Sequence, residues 1–522
     1  MIKYARSGLL GLDTNKISYL THVRRVEEHD ARTQKAFRLG RKKMVQINKL
    51  AGLRSRVGLM ALAVTLTIGA ASHADTQGQT AFTEHSGTLP DGTAWLIRVP
   101  ENWNGRLLRD LDFASFINVP SYAPRYDDLL ARGYAFAGLA RHPLRLWQYD
   151  PQREIMNLES VQDIFVERER KPDMVLQYGC SGGGLDSLAS AEDFPDKIDG
   201  SVVLAAHTPV WIMNSFLDGW FAMQALLAEE FEAQGLGAAS DLSVAGLPNA
   251  GANSDRSLQD IQASWKSAIE MAAKTPEGRA RLALAFAIGQ WSPWMVEGSE
   301  MADVSDIEAM GDMIVQSMMR IAGNVGGSSR LLFENAASGQ QLSGNEDADY
   351  VAFYDNAAPA MKQVVEGLYA ETDLDLASDI EKIDAQPRIA ASEYALEFWS
   401  GDGRTTTGEL QVPAIRLHML GDWAVPYTLM QGYAALVEEA GTTDLYRQSL
   451  VNGAGHCEFT AAESSVAVEM LVQRVESGSW PDTSPEALNA AADALETGSD
   501  ARFMEFGDWQ VGAYNRAWTP SN

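Results

Sequence analysis

A glycine-flanked serine between a predicted strand and a predicted helix constrains the fold of this 522-residue chain more than any other feature. The apolar run Met174–Tyr178 predicts a buried strand and Leu185–Ala191 predicts a helix, with the residues GCSGG between them. In such a turn a serine takes a strained backbone conformation that points its hydroxyl outward, and the glycines let strand and helix approach closely. We therefore predict Ser181 as a nucleophile, with the amide of Gly182 facing an oxyanion.

Short apolar runs and helical stretches alternate on both sides of this turn. This rhythm predicts an α/β fold in which a mainly parallel sheet carries helices on its faces. Residues 214–407 differ, since they are rich in Ala, Met, Glu and Gln at helical spacing. We predict a first core segment at 75–213, a helical insertion at 214–407 and a second core segment at 408–522. The predicted strands are Trp95–Val99, Arg106–Leu111, Ala135–Leu139, Met174–Tyr178, Ser201–Ala206, Ala414–Leu420 and Leu445–Val451.

Residues 1–74 have the pattern of a long leader that ends in a secretory signal. Arg54 and Arg56 precede the apolar run Val57–Ala71, and the small-residue stretch Ser72–Ala74 follows. The alternative is a single membrane anchor, although the run is short for spanning a bilayer. We predict cleavage near Ala74 and a secreted or periplasmic protein, in which two thiols can pair.

The chain is strongly acidic, with a formal net charge of −28, and 14 of its 42 basic residues lie within residues 1–74. Such a body repels nucleic acid and anionic lipid, so neither is a predicted partner, and no membrane association is expected after cleavage. Basic residues are scarce in the remaining chain, and no group of them predicts a clamp for a carboxylate or a phosphate.

A serine hydroxyl needs a base and an acid that orients the base, each expected just after a strand. His456 lies in the glycine-rich sequence NGAGHC after Leu445–Val451, and Asp422 lies in GDWAVP directly after Ala414–Leu420. We predict His456 as the base and Asp422 as the acid, while a helix N-cap is the alternative role for Asp422. Other candidates fit these positions less well, namely His207, His418, Asp402 and Asp444.

The chain has only two cysteines, and each adjoins a predicted catalytic residue. Cys180 precedes Ser181, and Cys457 follows His456. If the serine and the histidine meet in space, their neighbours come within disulfide distance. The placement therefore predicts the catalytic residues and a 180–457 disulfide together, and a paired Cys180 thiol cannot itself be the nucleophile.

The pattern Cys180-Ser181, Asp422 and His456-Cys457 resembles the tannase and feruloyl esterase family of α/β-hydrolases. The segment Phe194–Gly200 is also similar to the family's sequence after the nucleophile helix. In that family a disulfide joins the neighbours of the catalytic serine and histidine. The resemblance implies an α/β-hydrolase fold and a secreted ester hydrolase with an inserted lid domain.

Two features depart from the family or remain open. The early strand is not followed by His-Gly-Gly, so the amide of Asp112 or Phe113 is our prediction for the second oxyanion donor. Some members of the family bind calcium in the lid, but the acidic residues here match no EF-hand spacing, and capping or solvated acids are more typical of them. Those residues are Asp373, Asp375 and Asp379, or Glu346, Asp347 and Asp349. No other metal or cofactor is predicted.

Three tryptophans are candidates for an aromatic or acyl pocket, although core packing is the more common role of such residues. They are Trp211, Trp291 and Trp294. Taken together, the sequence predicts a secreted serine carboxylic-ester hydrolase that acts on a small-molecule or polymeric ester. The alternatives are a lactonase, amidase or acyltransferase of the same fold, or a non-catalytic binding protein on this scaffold. The oligomeric state is not predicted.

Overall fold

The chain is described by a computed structural model over residues 80–141, 148–247, 257–324 and 328–520, so the predicted leader lies outside the described residues. The described part contains one sheet of nine strands in the order β1-β2-β4-β3-β5-β6-β7-β8-β9. The strands are β1 (Phe82–Thr88), β2 (Ala94–Pro100), β3 (Arg106–Asp110), β4 (Ala135–Leu139), β5 (Met174–Cys180), β6 (Gly200–Leu204), β7 (Ala414–Gly421), β8 (Tyr446–Ala454) and β9 (Phe503–Met504).

The centre of the sheet is parallel, and its edges are antiparallel. Strands β4, β3, β5, β6, β7 and β8 pair in parallel, whereas β1–β2, β2–β4 and β8–β9 pair antiparallel. Adjacent residues of a strand face opposite sides, and both sides of these strands are buried. Leu107 and Leu108 illustrate this, because each is fully buried in a different apolar cluster.

Sixteen α-helices surround the sheet and fill the insertion in the described part. Those that precede the insertion are α1 (Phe113–Phe116), α2 (Ala123–Ala131), α3 (Pro151–Arg168) and α4 (Gly182–Asp193). Those between β6 and β7 are α5 (Pro209–Ala233), α6 (Leu258–Ala272), α7 (Pro276–Gly289), α8 (Ile307–Ile321), α9 (Ser328–Ala336), α10 (Tyr350–Asp355), α11 (Pro359–Ala370), α12 (Leu376–Asp384) and α13 (Glu393–Trp399). Those that follow are α14 (Thr428–Glu439), α15 (Ala461–Ser477) and α16 (Pro485–Asp493).

Two helical layers cover the sheet. Helices α3, α4 and α14 and the start of α5 pack on one face, and α1, α2, α15 and α16 pack on the other. A mainly parallel sheet between two such layers, with the nucleophile turn after β5, is the α/β-hydrolase fold. The predicted fold class is confirmed.

The regular secondary structure described between β6 and β7 is entirely helical, with irregular segments such as residues 290–306 between the helices, and this agrees with the periodicity of the sequence. Its helices share a large apolar cluster of their own, which also contacts Leu420 and Tyr427 beside the end of β7. The boundary predicted between residues 213 and 214 falls inside α5, since that helix is continuous from Pro209 to Ala233. No helix among the described residues combines the length and apolar character needed to cross a membrane.

Candidate active site

The turn after β5 holds Ser181 in a backbone conformation that side chains rarely adopt. Ser181 has φ of 60° and ψ of −115°, and its amide donates to the carbonyl of Leu204 on β6 at 3.0 Å. A Cβ at Gly179 would lie 2.5 Å from the carbonyl oxygen of Gly183, and one at Gly184 would lie 2.6 Å from that of Leu204. Only glycine fits both places, so the sequence of the turn is dictated by the close approach of strand and helix.

Gly182 is the first residue of α4, so its N–H has no acceptor within the helix and adds to the positive end of the helix dipole. The Tyr149 hydroxyl supports the turn from behind, at 2.9 Å from the carbonyl oxygen of Gly182 and 2.7 Å from Asp186 Oδ1. Ser181 and Gly182 remain partly exposed above this support. In this position the N–H of Gly182 can donate a hydrogen bond to a negatively charged oxygen bound beside Ser181.

Asp422 and His456 are hydrogen bonded at the ends of β7 and β8. The His456 Nδ1 atom lies 2.9 Å from both carboxylate oxygens of Asp422. Asp422 is fully buried, and its Oδ1 also accepts hydrogen bonds from the amides of Ala424 at 2.8 Å and Val425 at 2.9 Å. An ionised carboxylate only accepts, so Nδ1 carries the proton and Nε2 is left as a base.

His418 does not compete for this role. It is fully buried within β7, and its Nε2 lies 2.9 Å from the carbonyl oxygen of Val425, so Nε2 carries the proton. Burial lowers the pKa of His418 to about 4. This imidazole therefore stays neutral beside Asp422, at 3.8 Å from Oδ2, and leaves the carboxylate to His456.

Cys180 and Cys457 form a disulfide, as the sequence predicts. Their Cα atoms are 6.0 Å apart, and the bridge spans 277 positions of sequence. It joins the nucleophile turn to the loop of His456, whose side chain is 18% exposed. Cys457 has φ of 65°, so both loops carry a non-glycine residue in the left-handed region next to the bridge. The disulfide brings Ser181 and His456 into one neighbourhood.

Replacing both cysteines by alanine is expected to lower the free energy of unfolding by about 2–5 kcal/mol, because the reduced chain regains the entropy of a long open loop. Urea unfolding of the Cys180→Ala/Cys457→Ala variant against the wild type measures this loss. The wild type unfolded in reducing buffer is the matched control and should lose a similar amount. Equal stability of the oxidised wild type and the double variant would contradict the expectation.

The loop after β3 lies against the nucleophile helix, since a Cβ at Gly183 would be 3.3 Å from Leu111 Cβ. The amide of Asp112, predicted as an oxyanion donor, instead donates to Asp110 Oδ1 at 2.8 Å. The Asp112 carboxylate is held by Arg141 at 3.0 and 3.1 Å. The hydrogen bond to Asp110 corrects the prediction for Asp112, and Phe113, the first residue of α1, is the remaining candidate.

Helix α2 connects this loop to the histidine loop through buried polar side chains. The Tyr126 hydroxyl donates to Asp110 Oδ2 at 2.7 Å, and burial raises the pKa of Asp110 to about 6. The Arg125 guanidinium contacts the rings of Tyr122 and Tyr126 and donates to the carbonyl oxygen of Cys457 at 3.2 Å. Sequence reasoning missed this link, because nothing in the helical pattern separates Arg125 from a surface residue.

No family model matches this chain. It is 54% identical over 443 residues to an o-phthalyl amidase of Xanthobacter agilis, a match that spans 84% of this chain and 98% of that protein. The chain belongs to the o-phthalyl amidase family.

Solved structures similar to this member of the o-phthalyl amidase family include esterases. Feruloyl esterase B of Aspergillus oryzae matches with a TM-score of 0.39 at 13% identity, over 80% of this chain and 86% of that one. An esterase of Pyrococcus furiosus matches with a TM-score of 0.33 at 10% identity, over 77% of this chain and 92% of that one.

The three tryptophans considered as candidates for a pocket lie in the core, which is the more common role of such residues. In this o-phthalyl amidase family member, Trp211 and Trp291 are each 1% exposed, and Trp294 is 6% exposed. Trp211 donates to the carbonyl oxygen of Trp518, and Trp294 donates to Ser299 Oγ at 2.9 Å. The aromatic ring that meets the proposed base is that of Trp423, whose centroid lies 5.8 Å from that of His456.

Four of the six acidic residues considered for calcium in this o-phthalyl amidase family member have other partners. Asp349 and Asp375 accept the capping hydrogen bonds of α10 and α12. Asp379 pairs with Arg281 at 2.9 Å, and Asp347 pairs with Arg516 at 3.0 Å. The described residues contain no group of three or more His, Cys, Asp or Glu side chains able to hold a metal ion.

Proposed function

We propose that this protein hydrolyses o-phthalyl amides through an acyl-enzyme on Ser181, with His456 as the base and Asp422 as the group that orients it. The assignment of the substrate class rests on the 54% identity to an o-phthalyl amidase over nearly the whole of that protein. The hydrogen bond from His456 Nδ1 to the buried Asp422 supports the assignment of base and acid.

In the proposed reaction, Ser181 Oγ attacks the amide carbonyl as its proton passes to His456 Nε2. The amides of Gly182 and Phe113 bind the resulting oxyanion, which replaces the carbonyl oxygen. His456 then donates this proton to the amide nitrogen, the C–N bond breaks, and the amine leaves. Water, deprotonated by His456, repeats the attack on the acyl-enzyme and releases the acid.

The sequence alone favours an ester hydrolase and keeps an amidase as an alternative, and the relative now favours the amidase. Both reactions use the same acyl-enzyme and oxyanion, and they differ in the leaving group. An amine leaves only after it is protonated, so an amidase depends more strongly on an imidazolium held in place. The buried Asp422 carboxylate, with a hydrogen bond to His456, supplies that stabilisation. A binding protein without catalysis has no need of this arrangement.

We also propose that the protein is exported. The disulfide between Cys180 and Cys457 is compatible with an oxidising compartment, and the predicted signal in residues 1–74 gives a route. N-terminal sequencing of protein recovered from outside the cytoplasm should begin close to Asp75. Recovery of the unprocessed chain from the cytoplasm alone would overturn export.

Two assays on the wild type test the proposed reaction. A fluorophosphonate probe should label one serine, identified as Ser181 by mass spectrometry of the digest. The o-phthalyl amide of para-nitroaniline should release the yellow amine, and labelled enzyme should release none. Absence of labelling in folded protein, or amine release that survives full labelling, would overturn the proposal.

A further inference from the structure

The insertion places an arginine over the aromatic ring that contacts His456. Arg320 lies in the last turn of α8, and its Cζ is 4.1 Å from the ring centroid of Trp423. The Trp423 ring in turn meets the His456 imidazole edge to face, at 5.8 Å between centroids. A single aromatic ring therefore separates the Arg320 guanidinium from the proposed base.

Arg320 differs in its partners from two other arginines near the site. Arg141 is paired with Asp112, and Arg502 is paired with Glu463. In the part of the chain that the structure describes, Arg320 has no carboxylate partner, and its side chain is exposed. Stacking on Trp423 uses the face of the guanidinium and leaves the N–H groups at its edge free for a bidentate acceptor.

The surroundings of the histidine loop are acidic, so an anionic substrate needs a local cation. A Cβ at Gly455 would lie 2.8 Å from Glu458 Cγ and 3.5 Å from Glu297 Cγ, which places both carboxylates beside His456. Burial and the nearby Glu297 raise the pKa of Glu458. With a formal net charge of −28 over the whole chain, the general field repels anions.

We propose that Arg320 binds the free carboxylate of the substrate's acyl group. The proposal rests on the proposed function, because an o-phthalyl amide has one carboxyl in the amide and a second, ionised at neutral pH, on the adjacent ring carbon. Trp423 holds the guanidinium flat, so that little side-chain entropy is lost when the carboxylate binds.

The test compares Arg320→Gln and Arg320→Lys with the wild type on two substrates. One is the o-phthalyl amide of para-nitroaniline, and the other is para-nitrophenyl benzoate, which has no carboxylate. Each variant is compared with the wild type on the same substrate, so the different reactivities of the amide and the ester cancel. Arg170→Gln is the matched control, because the Arg170 guanidinium also lies over a tryptophan ring, that of Trp103, at 4.2 Å. These two residues precede β5 and β3, so they lie at the amino-terminal ends of the strands, away from the site at the carboxyl ends.

Arg320→Gln should lower kcat/KM for the o-phthalyl amide about 10- to 100-fold, mainly through KM, which is the loss typical of one hydrogen-bonded charge. Hydrolysis of the benzoate should fall by less than about threefold. Arg320→Lys should lie between the two, since it keeps the charge and loses the planar fork. Phthalate should inhibit benzoate hydrolysis by the wild type, and its inhibition constant should rise in Arg320→Gln by a similar factor to KM.

Equal losses on both substrates, or no loss on either, would overturn the role of Arg320 while the reaction at Ser181 stands. Equal phthalate inhibition of wild type and Arg320→Gln would overturn it as well. Failure of the fluorophosphonate probe to label the wild type is a different result, because it removes the proposed function and this inference with it. A loss in Arg170→Gln that matches the loss in Arg320→Gln would assign the effect to surface charge in general.

Discussion

Replacement of Ser181 by alanine should lower kcat for the o-phthalyl amide by about 10⁶-fold, the scale seen when a serine hydrolase loses its nucleophile. Alanine keeps the Cβ atom, so the strained φ of 60° and the close approach of β5 and α4 are the same in both proteins. The amide of Ser181 still donates to Leu204. The variant therefore loses the hydroxyl and keeps the turn.

Ser160→Ala provides the matched control, because Ser160 is exposed on α3 and its hydroxyl donates to the carbonyl of Met156 in the same helix at 3.0 Å. Its kcat should stay within about twofold of the wild type. Single-turnover kinetics and urea unfolding of both variants separate chemistry from folding. A Ser181→Ala protein that keeps more than about 1% of the wild-type kcat would show that another residue attacks the amide.

The central strands were predictable because they are short apolar runs buried on both faces. Ala135–Leu139 is recovered at the predicted bounds, and Met174–Tyr178 lengthens by two residues into the turn. Strand β1 was missed, because most of its residues are exposed and lack apolar alternation. Strand β9 has two residues and exists through its pairing with Leu450 and Val451, which no local pattern can indicate.

The positions of Asp422 and His456 were predictable from a rule about strand ends, and the two cysteines reinforced it. Residues that approach the site from other elements were not. Arg125 reaches Cys457 from α2, across 332 residues of sequence. Arg320 reaches Trp423 from α8. The hydrogen bond that occupies the Asp112 amide depends on the rotamer of Asp110, which the sequence does not specify.

Replacement of Asp422 by asparagine should lower kcat by about 10⁴-fold near pH 7, because it reverses the tautomer of His456. Oδ1 accepts from the amides of Ala424 and Val425, so the oxygen of the new amide must remain there. The NH₂ group then takes the position of Oδ2, 2.9 Å from His456 Nδ1. Although Nδ1 is also 2.9 Å from Oδ1, an N–H on Nδ1 would face the hydrogens of the new NH₂ group, so the tautomer in which Nδ1 accepts is favoured. That tautomer places the proton on Nε2 and removes the base that Ser181 needs.

Two other aspartates that were considered as the acid beside His456 supply matched controls for this prediction. Asp402 and Asp444 are both exposed, so Asp402→Asn and Asp444→Asn should each keep kcat within about twofold of the wild type. Urea unfolding should show Asp422→Asn folded, since its amide can still meet the loop amides and the imidazole. If Asp422→Asn keeps more than about a tenth of kcat, the carboxylate serves mainly as a cap for residues 424 and 425. Fluorophosphonate labelling separates these cases, because a wrong tautomer slows attack by Ser181 on the probe. If the carboxylate serves mainly as a cap, the asparagine oxygen preserves that cap and the labelling rate stays near that of the wild type.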